Sequence, residues 1–184
     1  MRIGIDIDDT ICDTWEYVKP LFKQNFNLDD SELEKNNYSR VLNCTLEEYY
    51  DFYKKNIDPI MLDIPIKKDA AKYINKLKKD GHEIYFITAR GDFDMLNPYE
   101  KTKTYLEKNN IKYDKLLTNS LEKDKAVLKN KIDIFIDDSI KHCMSISKLG
   151  IPVLMFETSY NKQTEFRKVK NWKEIYDIIN RKEW

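Results

Sequence analysis

Cysteine is scarce in this chain: Cys12, Cys44 and Cys143 are odd in number and form no C-x-x-C pair. That excludes a disulfide framework and a structural zinc site of the usual spacing. All three are expected as free thiols, with Cys12 a small apolar filler beside an acidic cluster rather than a reactive group. An excess of one charge is lacking as well. Lys plus Arg and Asp plus Glu stand at 32 each, and a neutral chain is not built chiefly to coat nucleic acid or anionic lipid. No apolar run approaches the length of a membrane span. Strand-like sequence starts at Arg2 with no basic and apolar leader before it, so neither anchor nor signal peptide is expected and the cytoplasm is the expected location. Repeats and low-complexity segments are missing. What is present, 41% apolar and 12% aromatic residues in 184, excludes a disordered chain and suits one domain with room for a modest insertion.

The most informative stretch is the first: Ile3, Ile5 and Ile7 alternate through a β-branched run that ends in Asp6, Asp8, Asp9 and Thr10. Residues two apart on a strand share a face, so Asp6 and Asp8 would project together where the strand stops. Two carboxylates held that close repel, and burying them is costly, so a positive partner is required; a divalent cation is the simplest. The plainer alternative is a solvated Asp cluster at a turn. Calcium is excluded as the metal of a calcium loop, because Ile11 stands where the sharp-turn Gly is needed and Tyr17 where the bidentate Glu belongs.

Beyond Thr10 the periodicity is helical through Trp15, Val18, Phe22 and Phe26, with Asp13 or Thr14 as the cap. Loop and a short helix are expected over 27–37. A capping box at Thr45 and Glu48 opens a helix to about Asn56. Then helices over 70–79, 99–109, 123–129, 139–149 and 171–179 alternate with strands over 83–88, 113–118, 132–136 and 152–156. This alternation predicts βαβ units and a parallel sheet, with ligands at the carboxyl ends of the strands. Asp6 and Asp8, Thr88, and the pair Asp137 and Asp138 all fall at such ends, and their convergence on one crevice is stronger evidence than any of them singly. The first two strands are about 75 residues apart where roughly 30 suffice. The excess, 11–66, reads as a small helical cap inserted after the first strand, leaving 1–10 and 67–184 as a Rossmann-like catalytic core.

Asp6-Ile7-Asp8-Asp9-Thr10, Thr88 after a strand, Lys125, and Asp137-Asp138 after a later strand resemble, in order and context, the four motifs of haloacid-dehalogenase-superfamily phosphatases. Within that superfamily the chain is most similar to the 5'(3')-deoxyribonucleotidase family and its bacterial nucleotidase-like relatives, through the compact cap, Ile87-Thr88-Ala89-Arg90, Asp124-Lys125 and Tyr160-Asn161. It departs from the animal enzymes at Asp9, where they usually carry Gly. The resemblance implies an α/β, haloacid-dehalogenase-like fold and a Mg²⁺-dependent phosphomonoesterase. Asp6 would be nucleophile and Asp8 acid and base, with Mg²⁺ on the Asp6 carboxylate, the Asp8 backbone carbonyl and Asp137. Thr88, Ala89 and Lys125 would hold the phosphate, Lys123 being the alternative lysine in the same cluster. Asp9, Thr10, Arg90 and Asp138 are candidates for substrate or supporting contacts. His82 is expected to be structural and His142 to lie on a helix surface. The cap aromatics Trp15, Phe22, Phe26, Tyr49, Phe52 and Tyr53 are expected mostly as packing, with base stacking the alternative.

The expected activity is that of a 5'-nucleotidase on small nucleotides. Its rivals are a phosphatase for sugar phosphates or polynucleotide 3'-ends and, in another class, a non-catalytic phosphate-binding regulatory module. Residues 11–66 carry a net charge of −5 and the remainder +5, so an acidic lid would repel a long phosphate backbone. Small phosphomonoesters are therefore the expected substrates and a polynucleotide is not. No membrane partner is expected, and a homodimer is left open.

Overall fold

In the computed structural model, which describes residues 1–29 and 44–184, the apolar start of the chain forms strand β1 (Arg2–Ile5). Ile3, Ile5 and Ile7 are fully buried, as a strand covered on both faces requires. Gly4 is dictated by its neighbour: a Cβ there would approach the Phe135 ring to 2.4 Å. Beside β1 lie β2 (Glu83–Ile87) and β4 (Ile134–Asp137); β3 (Lys115–Leu117) lies beyond β2, and β5 (Val153–Phe156) then β6 (Lys168–Val169) beyond β4. The order is β3-β2-β1-β4-β5-β6 and every pairing is parallel. Strand order reverses between β1 and β4, which is where such sheets open a ligand crevice.

Seven α-helices are described: α1 (Thr14–Phe26), α2 (Leu46–Phe52), α3 (Ala70–Lys79), α4 (Pro98–Lys108), α5 (Lys123–Asn130), α6 (Ile140–Ser147) and α7 (Trp172–Arg181). The apolar stripes decide the layers. Ile74 and Leu77 of α3 with Ile175 and Ile178 of α7 cover the face that carries Ile3 and Ile5, while Val127 of α5 and Ile146 of α6 cover the opposite one with Phe135 and Ile87. Among the described residues, no helix is long and apolar enough to cross a membrane.

The long connection between β1 and β2 contains α1, α2, a π turn (Tyr53–Ile57) and a 3-10 turn (Asp58–Ile60). Its two ends meet: Cys12 bridges Ile66, the Lys67 N–H donates to the Ile11 carbonyl at 2.9 Å and the Asp13 N–H to the Pro65 carbonyl at 3.1 Å. Trp15, Phe22 and Phe52 are buried there, with Phe22 and Phe52 ring centroids 5.0 Å apart, which makes them packing residues, as expected.

Several sequence expectations need adjustment. Asp13 stands at the N-cap of α1, as one of the two candidates, but makes no side-chain capping bond, because its carboxylate pairs with Lys67, while the Thr14 hydroxyl donates to Asp8 at 2.7 Å. The capping box does form, with the Glu48 N–H donating to Thr45 Oγ1 at 3.2 Å and the Thr45 N–H to Glu48 at 2.7 Å, but the regular helix ends at Phe52. Strand β6, two residues long, is too short to leave a periodic signal. The loop and helix expected over 27–37 fall largely outside the described residues.

Candidate active site

The site forms where β1 and β4 end side by side. The Asp6 N–H donates to the Ile136 carbonyl at 2.9 Å, fixing the first carboxylate against the strand that delivers Asp137. Between these two stands Lys123, whose Nζ lies 2.6 Å from Asp6 Oδ1 and 2.7 Å from Asp137 Oδ2, with its side chain only 1% exposed. Three formal charges thus share a volume closed to solvent. Burial and then Lys123 act on both acids with unequal results: Asp6 is pushed up to about 7, whereas Lys123, with His142, holds Asp137 down at about 2. The same carboxylates keep Lys123 charged against its burial.

Lys125, the lysine expected here, is elsewhere. It points to solvent and pairs with Glu122 at 2.6 Å. The buried positions of α5 are Lys123, Val127 and Asn130, spaced as one helix face, and Lys125 falls off that stripe. The motif order reached the helix, but which of its faces the sheet covers decides between the two lysines. His142 is also nearer than expected, its Nδ1 lying 3.4 Å from Asp137 Oδ2.

Asp8 turns to a second cation. Arg90 grips it bidentately, Nε to Oδ2 at 2.9 Å and Nη2 to Oδ1 at 2.8 Å, while Thr14 donates a third bond. Burial works against ionisation of Asp8, but Arg90 and Thr14 outweigh it and the group lies below the usual carboxylate range. Arg90 is itself buried, with its guanidinium 5.3 Å from the centre of the Tyr105 ring. Thr88, also buried, accepts the Arg90 N–H at 3.2 Å, and the Ala89 N–H has no acceptor among the described residues. Cys12, behind this pair, is fully buried, which pushes its thiol up to about 12, so it is inert filler as expected.

Asp9 explains its own departure from the family pattern. Its φ of 56° is the left-handed region that favours Gly, and here an Asp is held there by two bonds. Asp9 accepts the Trp15 N–H at 2.8 Å and faces the Tyr160 hydroxyl at 2.8 Å. The same hydroxyl lies 2.6 Å from Asp138. A tyrosine has one hydrogen for these two carboxyl groups, so they compete for it. Burial raises both, Asp9 to about 6 and Asp138 well above its ordinary value. Thr10 and Asn161 complete the tie, donating to the Asp138 side chain at 3.2 Å and to its backbone carbonyl at 2.8 Å.

Asp6, Asp137 and Asp138 bring carboxylate oxygens within 4.8 Å of one another, all buried. Asp138 takes the place that the Asp8 side chain does not. Counting Asp8 and Asp9, five carboxyl groups surround two buried cations, Lys123 and Arg90. A hard divalent cation fits an all-oxygen donor set of this kind and would offset the excess negative charge.

A cavity of about 300 Å³ opens onto Asp8, Ala89 and Arg90 and is lined by Tyr49, Tyr50, Tyr53, Phe93 and Asp94, with Leu46 and Leu121. Tyr49 and Tyr53, expected chiefly as packing, line this space; Asp94, Tyr50 and Phe93 were not anticipated.

A parallel sheet reversing between β1 and β4, with paired aspartates at both strand ends and a buried lysine between them, defines a haloacid-dehalogenase-like phosphatase. The fold matches a haloacid dehalogenase-like hydrolase from Streptococcus pneumoniae (TM-score 0.67, 13% identity, 97% of each chain) and a predicted phosphatase from Clostridium acetobutylicum (TM-score 0.63, 16% identity, 98% of each chain). In sequence, residues 1–183 match the family described as "5' nucleotidase, deoxy (Pyrimidine), cytosolic type C protein". A nucleotidase of Clostridium acetobutylicum is 32% identical over 188 residues, covering 98% of this chain and 94% of that protein. A Bacillus subtilis protein named as a nucleotidase is 32% identical over 187, with the same coverage. The chain belongs to this 5'-nucleotidase family and is a phosphoric monoester hydrolase.

Proposed function

We propose that the protein is a Mg²⁺-dependent 5'-nucleotidase that removes phosphate from small ribo- or deoxyribonucleotides through an aspartyl-phosphate on Asp6. The observation that carries the reading is the Lys123 ammonium bridging Asp6 and Asp137 at the ends of adjacent parallel strands. Asp6 and Asp137, with Asp138 and the Asp8 backbone carbonyl, would hold the metal, which when bound supplies positive charge against the phosphoryl group.

The rest is done by the chain. The substrate phosphate settles on Lys123, the Thr88 hydroxyl and the Ala89 N–H, where charge and donors meet the phosphoryl oxygens. Its dianion also draws Arg90 from Asp8, which frees that carboxyl to take the acid role. An Asp6 oxygen attacks phosphorus, the ester P–O bond breaks and Asp8 gives its proton to the departing 5'-oxygen. Water then attacks the phosphorus, Asp8 takes its proton, and the bond to Asp6 breaks to release inorganic phosphate.

The cap of this reading is 11–66, and its two ends come together where Cys12 bridges Ile66. The nucleoside occupies the aromatic cavity next to Asp8, and the cap's net negative charge disfavours longer phosphate chains. A cytoplasmic setting belongs to the same reading, since Cys12, Cys44 and Cys143 are all free thiols.

The test is a phosphomonoester panel with Mg²⁺. Mononucleotides should exceed sugar phosphates and 3'-phosphorylated oligonucleotides in kcat/KM. Comparable values for a mononucleotide and an oligomer would instead favour a polynucleotide phosphatase.

A further inference from the structure

Helix α4 presents one face to the segment 58–64 that leads back from the proposed cap, and three side chains about a turn apart carry the contact. Lys101 pairs with the buried Asp58, and Lys108 lies 2.9 Å from Asp63 and donates to the Leu62 carbonyl at 3.1 Å. Between them the Tyr105 hydroxyl donates to the Ile64 carbonyl at 2.8 Å. Both lysines reach solvent, whereas Tyr105 is fully buried. Its ring lies under the Arg90 guanidinium, whose central carbon is 5.3 Å from the ring centre. A buried phenol needs a hydrogen-bond partner; Ile64 supplies it, so the hydroxyl fixes the ring and the ring meets the cation. The same guanidinium grips Asp8, its one ion-pair partner among the described residues, and its Nη2 reaches Cys12 Sγ at 3.9 Å.

Resting on the nucleotidase reading, we infer that Tyr105 is a positioning residue, which holds Arg90 where it can pass from Asp8 to the substrate phosphate. Without substrate, Asp8 offsets the charge of the buried guanidinium. When the phosphate dianion takes Arg90 over, that contact is given up, and the aromatic face is the one that stays with the cation through the exchange. An aromatic face attracts a cation through its negative π surface, most strongly where water is kept away, and both partners here are buried. A tyrosine that only fills the core serves the fold equally with or without Arg90. One that acts through Arg90 loses its effect on the reaction once that side chain is gone.

The experiment is a double-mutant cycle, read as kcat/KM on a mononucleotide with Mg²⁺, over the wild type, Tyr105→Leu, Arg90→Gln and the double variant. With Arg90 present, Tyr105→Leu should lose about tenfold, the weight of a buried cation on an aromatic face. In the Arg90→Gln background the same substitution should cost less than about threefold. Equal losses in the two backgrounds overturn the role of Tyr105. A second pair keeps the shape of the ring and decides the matter should Tyr105→Leu not fold: Tyr105→Phe, and the same substitution with the ring fluorinated at every free carbon. Fluorine withdraws negative charge from the ring face, so with Arg90 present the fluorinated protein should fall about tenfold below Tyr105→Phe. Equal kcat/KM for these two also overturns the proposal. Ribose 5-phosphate is measured alongside. A wild type that cleaves it as well as every mononucleotide overturns the nucleotidase reading, while the cycle read on that substrate still decides Tyr105.

Discussion

The Nζ of Lys123 lies 2.6 Å from Asp6 Oδ1, inside the fold and out of reach of solvent. The lysine two residues later in the same helix is exposed and pairs with Glu122 at the surface, so two side chains of one type separate the site's charge from the surface's.

Lys123→Met should therefore lower kcat/KM by about 10²-fold or more, the usual weight of a charge aimed at a transition state, whereas Lys125→Met should stay within about twofold because an exposed pair contributes little. Removing Lys123 also leaves Asp6 and Asp137 buried without their cation, so a loss of about 3–5 kcal/mol in urea unfolding accompanies it. Equal effects of the two substitutions on kcat/KM would contradict this assignment of the phosphate-binding lysine.

Asp6→Asn should abolish turnover, and Asp8→Asn should lower it by about 10²-fold or more, as the loss of a nucleophile and of an acid and base implies. Circular dichroism would show both variants folded. An Asp6→Asn protein that still turns over near the native rate would rule out the aspartyl-phosphate.

Chelation by EDTA should stop the reaction and Mg²⁺ restore it, while Asp137→Ala should shift the Mg²⁺ concentration for half-maximal activity upward. The prediction follows from three buried carboxylates within 4.8 Å of one another, of which only Asp6 and Asp137 pair with Lys123. Undiminished activity in metal-free buffer would count against it.

Asp9 offers a test of backbone conformation. At φ 56° a Cβ costs about 1–2 kcal/mol that Gly avoids, and Asp9→Ala and Asp9→Gly lose the same bonds to Trp15 and Tyr160. Asp9→Gly should thus be more stable than Asp9→Ala by about 1 kcal/mol in urea unfolding. Equal midpoints would mean that the left-handed turn is not retained.

Much of this molecule was legible in one dimension. The alternation of β-branched runs with helical stripes determined the parallel sheet, because strand and helix periods are set by local backbone geometry. The carboxylates at the ends of β1 and β4 followed from the place where the apolar runs stop. The helix at 123–129 was legible too, but the choice between Lys123 and Lys125 on it was not, because it depends on which helix face the sheet covers. The two-residue β6 was not, since its existence depends on an already formed edge of β5.

Only the tertiary structure decided which charges meet. Arg90 and Asp8 are 82 positions apart, and Tyr160 reaches Asp9 across 151; no local pattern encodes such pairings, which arise when the sheet brings its loops to one end. The same holds for the cavity, whose walls come from α2, the turn after it and the loop after β2. Residue type determined what each side chain could do, and the long-range packing of parallel strands determined which of them stand close enough to do it together.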